Sequence, residues 1–123
     1  MPRLTVDIVS EDPTADEFVL HLIEEGPWEI DALKGRLQTI QNRLYDAVDL
    51  IIDGNLVKRY PESKGKSIRI QLDCFDEPNE VHELTERFQK HMLADPECLA
   101  SIRACAFASN IRIISRRIDK KAP

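Results

Sequence analysis

One stretch limits more than any other what this chain can fold into. Between Trp28 and Asp53, Ile30, Leu33, Leu37, Ile40, Leu44, Ala47 and Ile51 recur at alternating steps of three and four. That period belongs to one face of an α-helix, whereas a half-buried strand repeats every second residue. Glu29, Asp31, Lys34, Arg36, Gln38, Gln41, Asn42, Arg43, Asp46 and Asp49 fall between them and make a solvated face. Gly54 then offers the left-handed backbone on which helices commonly end. At the usual rise per residue the segment spans about 39 Å, against roughly 17–20 Å for a typical strand. Part of the helix must overhang its own sheet.

The flanks read as strands and further helices. After the stop, Pro61 turns the chain at Tyr60 and Gly65 permits a second turn. Ile68, Ile70, Leu72 and Cys74 then alternate with Arg69, Gln71 and Asp73, the pattern of a strand with one face on a core. Upstream, Leu4, Val6 and Ile8 alternate, Ser10 to Asp16 is a polar turn, and Phe18 to Ile23 is apolar except for His21. These two strands should form an antiparallel hairpin. Gly26-Pro27 breaks the second strand, and Trp28 plugs the corner between sheet and helix.

Downstream, Asp76, Pro78 and Asn79 precede a helix striped by Val81, Leu84, Phe88 and Met92. Asp95-Pro96 starts another, with Leu99, Ile102 and Ala106 as its stripe. Ile111 to Ile118 is a last strand whose Arg112, Arg116 and Arg117 mark an edge.

The expected fold class is therefore α+β. It is a two-layer α/β sandwich, a mostly antiparallel four-stranded sheet with helices on one face, in the order β-β-α-β-α-α-β. One domain covers residues 1–119, and residues 120–123 are a frayed basic tail.

Charge divides the chain. Residues 1–102 carry 11 basic and 21 acidic side chains, while residues 103–123 carry 6 and 1. The acidic body disfavours nucleic acid as a general partner, and a local basic patch keeps it as the alternative. No leader-like or membrane-spanning run is visible, so the expectation is a cytoplasmic protein that makes no membrane contact. Cys74, Cys98 and Cys105 are an odd count without CxxC spacing and read as small apolar thiols. No cysteine–histidine pair has zinc-site spacing, so neither metal nor cofactor is expected.

The run Ile40-Gln41, Leu44-Tyr45, Asp53-Gly54-Asn55-Leu56, Tyr60-Pro61-Glu62-Ser63-Lys64-Gly65-Lys66 and Ile68-Arg69-Ile70 resembles a family of small bacterial domains of unknown function. Over about residues 4–75 the resemblance implies an N-terminal hairpin and a Trp leading into a long helix. A Gly stop and a Tyr-Pro-x-x-x-Gly turn into a strand complete it. It implies a bacterial origin and brings no activity, cofactor or catalytic residue.

Three groups of residues stand out. Asp46, Asp49 and Asp53 place carboxylates near the end of the long helix, where the dipole disfavours them; they read as a solvated face eased by Arg43 or by Lys58 and Arg59, or else as an acidic docking face for a basic partner. Lys58, Arg59, Tyr60, Lys64, Lys66 and Arg69 form a basic loop around one aromatic, to be joined by Arg112, Arg116 and Arg117 if the third and last strands are neighbours. Leu50, Ile51 and Ile52 widen the helix stripe and form the surface of an expected homodimer. His21, His82 and His91 read as packed or surface residues, with no Ser, Cys or Asp at a suggestive spacing from His21. The expectation is a non-enzymatic protein-interaction module of inhibitor or immunity type, its partner unidentified. The alternative is anion or nucleic-acid binding through the basic loop.

Overall fold

The computed structural model describes residues 8–25, 28–75, 78–104 and 107–118. Their order is β1 (Ile8–Asp12), β2 (Glu17–Glu24), α1 (Ile30–Ile52), α2 (Asn55–Arg59), a 3₁₀ turn (Pro61–Ser63), β3 (Lys66–Phe75), α3 (Asn79–Ala94), α4 (Pro96–Ala104) and β4 (Ala108–Ile118). The start of the expected first strand, the Gly26-Pro27 break, Asp76, Cys105 and the 120–123 tail lie outside the described residues.

The four strands lie in sequence order, β1-β2-β3-β4. Only β1 and β2 run antiparallel; β2 with β3 and β3 with β4 are parallel. This corrects the expected mostly antiparallel sheet: it is mixed. Each of the two crossovers is a helical segment long enough to return the chain to the start of the next strand, as parallel pairing requires. Both move the same way across the sheet, so the usual right hand puts all their helices on one face. The alternation along β3 misled because its second face is polar without being wet. Gln71 and Asp73 are buried there.

Register sorts the side chains into rows. Phe18, Ile68 and Ile111 align, as do Leu20, Ile70 and Ile113. These rows meet Ile40, Leu44, Ala47 and Ile51 of α1 and Val81, Phe88 and Met92 of α3 in one core. The helices also touch each other, with the Tyr45 and Phe88 rings edge to face at 4.7 Å.

The 23 residues of α1 run about 35 Å. Its overhang is at the N-terminal end, where Ile30 is 89% exposed, and burial begins at Ile40. Arg36 and Arg43 tie this end to Glu24 at 3.2 and 2.9 Å. Trp28 sits just outside the helix. Its Nε1 donates to the Phe75 carbonyl at 2.8 Å, and the Arg36 guanidinium lies 4.1 Å from its ring.

At the other end Gly54 (φ 85°) stops α1, and the chain coils again as α2, an element absent from the sequence reading. Asp53 Oδ1 accepts the Asn55 N–H at 2.9 Å and so starts it. Asp95 does the same for α4, accepting the Glu97 N–H at 3.0 Å.

Candidate functional site

The sheet face turned away from the helices carries two polar clusters. The first centres on Glu17, which is 7% exposed. Arg112 donates through Nε to Oε2 at 3.1 Å and through Nη2 to Oε1 at 2.6 Å, and Arg69 Nη1 adds a third contact at 3.0 Å. Arg69 also reaches Asp12 at 3.2 Å.

The Arg112 hydrogen bonds, and then the charges of both arginines, hold the Glu17 carboxyl below its ordinary range against the opposing effect of burial. Asp12 is lowered too, first by the Ala15 N–H and then by Arg69. Glu17 in turn raises Arg112. The parallel neighbours β3 and β4 thus do bring Arg69 beside Arg112, but both guanidiniums are turned onto carboxylates.

The second cluster is a chain of hydrogen bonds. Ser10 Oγ lies 2.9 Å from His21 Nε2, His21 Nδ1 lies 2.8 Å from Asp73 Oδ2, and Gln71 Nε2 donates to Asp73 Oδ1 at 2.8 Å. A carboxylate only accepts, so Nδ1 carries the proton and, in the neutral ring, Nε2 accepts from the serine. This is the bonding order of a nucleophile, its base and an orienting carboxylate. No Ser or Asp stands at a suggestive spacing from His21 in the sequence, and the fold nevertheless brings one of each to it. The partners are 11 and 52 positions away in sequence, and only the sheet register makes them neighbours.

The other residues singled out from the sequence are dispersed. Lys58, Arg59 and Lys64 are exposed, while Lys66 pairs with Glu11 at 3.4 Å. The Tyr60 ring packs on Phe18, centroids 5.9 Å apart, and so is not presented as a stacking platform. Asp46, Asp49 and Asp53 are exposed along α1. Burial, and then Asp95 and Asp49, push the Cys98 thiol up, which keeps it protonated.

Of the expected dimer surface, Ile51 is 1% exposed, and Leu50 and Ile52 are partly buried against the core. The exposed end of the helix is the opposite one, at Ile30.

A feature that sequence reasoning missed lies at the β4 edge. Among the described residues no strand pairs with its outer side. There α3 and β4 enclose a cleft of about 470 Å³, lined by His82, Thr85, Gln89, Ile113, Ile114 and Ser115 among others. His82 Nδ1 lies 2.8 Å from Ser115 Oγ and its Nε2 lies 3.0 Å from Glu86. Gln89 Oε1 accepts the Ile113 N–H at 2.7 Å. That bond shows the Ile113 N–H pointing outward. Backbone groups of a parallel strand alternate between its two sides, so those of Ile111, Ser115 and Arg117 point outward as well.

Among the described residues no three His, Cys, Asp or Glu side chains are grouped to hold a metal. No described helix is long and apolar enough to cross a membrane. A family model, described as a family of unknown function (DUF6572), matches residues 3–95. The match ends at the C-terminus of α3, so α4 and β4 lie beyond it. No curated protein and no solved structure gives a match.

Proposed function

We propose that this chain, which belongs to the family of unknown function DUF6572, is a protein-interaction module that accepts an extended segment of its partner along the outer edge of β4. One observation carries the reading: an 11-residue edge strand with its outward backbone beside a helix-walled cleft. A free edge is a template for strand addition, with backbone hydrogen bonds supplying affinity and the adjoining cleft supplying selectivity. β1 is the other edge strand, of which Ile8–Asp12 are described.

The basic-loop alternative is weakened by the carboxylates that Arg69 already bonds and by the packing of Tyr60 on Phe18. A photo-crosslinking amino acid at position 114, compared with one at position 46 on the acidic helix face, tests the proposal in the native cell. Adducts to a protein are expected from position 114. Adducts from position 46 alone, or from neither, overturn the reading.

The Ser10–His21–Asp73 chain favours a second reading, acyl transfer to water. A fluorophosphonate probe separates the two. In an acyl-transferring site Ser10 Oγ bonds to phosphorus, fluoride leaves and His21 takes the proton. The interaction reading expects no adduct at Ser10. An adduct abolished by both Ser10→Ala and His21→Gln establishes the second reading instead.

A further inference from the structure

We infer that the segment accepted by β4 is acidic and extended, with two carboxylates four residues apart and apolar residues between them; this rests on the strand-addition reading above. Cross-strand neighbours lie on the same face of a sheet, so the side chains of β4 dictate those of an added strand. Ile113 and Ser115 point to the helix face, since Ile113 is in the core and Ser115 bonds to His82. Arg112, Ile114 and Arg116 therefore share the opposite face. Arg116 is exposed, and Arg112 keeps 45% of its side chain exposed while bonded to Glu17.

A strand laid along this edge meets a cation, an isoleucine and a cation at alternate positions. Its complement on that face is a carboxylate, an apolar residue and a carboxylate. The residues between them point toward Thr85 and Gln89 of α3, where the cleft is mostly apolar.

The same row argues against a second copy of the chain as occupant. Two β4 strands paired antiparallel about Ile114 would set Arg112 of each copy opposite Arg116 of the other, and like charges directly opposed destabilise a sheet.

The probe is a labelled peptide with the core Glu-Val-Ile-Val-Glu, compared with Lys-Val-Ile-Val-Lys. Binding is read by anisotropy, and protection of the Ile111, Ser115 and Arg117 amides by hydrogen exchange. The Glu peptide is expected to bind about tenfold tighter than the Lys peptide, to protect those amides, and to weaken with salt. Arg116→Glu, on the exposed face and away from the core, should reverse the preference.

Equal protection by both peptides overturns the acidic inference and leaves strand addition standing. Protection by neither overturns the inference and agrees with a negative crosslink at position 114. A dimer in light scattering whose β4 amides are protected without peptide shows a second copy in the cleft and overturns it as well.

Discussion

Gly54→Ala is expected to lower the unfolding free energy by about 2–4 kcal/mol, which shifts the midpoint by roughly ten degrees. Two independent causes act at this residue. Its φ of 85° lies in the left-handed region, where a Cβ meets its own backbone. A Cβ built there also falls 2.9 Å from the Phe107 ring. The Phe107 backbone is itself held, since its carbonyl accepts the Gly65 N–H at 2.9 Å and ties the start of β4 to the turn before β3. Gly35 provides the contrast: it lies in α1, and an added Cβ there meets nothing within 4 Å. Gly35→Ala should stabilise by up to about 1 kcal/mol through helix propensity. Thermal melts of both variants check the pair, and similar losses at the two positions would refute the Phe107 argument.

Glu17→Gln is expected to cost about 2–3 kcal/mol at neutral pH and to flatten the acid limb of the stability curve. The substitution keeps the shape but leaves Arg69 and Arg112 facing a neutral amide. Removing one partner of a buried pair costs about 3–5 kcal/mol; here Asp12 still pairs with Arg69, and Arg112 is half in solvent. The sign with pH follows from the depressed carboxyls. A carboxylate held below its unfolded range contributes its full stability above that range and loses it as pH falls through the folded value. Urea titrations at pH 7, 4 and 3 should therefore show the wild type losing more stability on acidification than Glu17→Gln. Equal losses would mean that Glu17 is not a source of the acid sensitivity. Adding Arg112→Gln to Glu17→Gln should recover part of the neutral-pH loss, as expected for two groups in direct contact.

The local grammar of the chain was legible wherever one period dominated. The stripe from Ile30 to Ile51 placed α1, Gly54 placed its end, Asp95-Pro96 placed the restart at α4, and the arginines of β4 marked it as an edge. What the sequence withheld was the pairing sense, because alternation along β3 records only that its two faces differ. Gln71 and Asp73 look solvent-facing in a pattern of hydropathy, yet they are buried beside His21. The Ser10–His21–Asp73 chain was hidden for the same reason: its members become neighbours only through the register of β1 on β2 and β2 on β3. The overhang of α1 follows from its length, but helix length alone does not say which turns the sheet covers. The cleft at β4 needed α3 laid beside that edge, which no spacing within one element reveals.

The parallel register has a consequence in time. The β1–β2 hairpin and the helices can form from near neighbours, but His21 reaches Asp73 across 52 positions and Glu17 reaches Arg112 across 95. Closing such long loops precedes any reward from the contacts they make, so the sheet should assemble slowly and from the hairpin side outward. Until β4 arrives, β3 shows a bare edge and Glu17 holds only Arg69. That interval, more than the finished fold, is when the chain is exposed to pairing with the wrong strand.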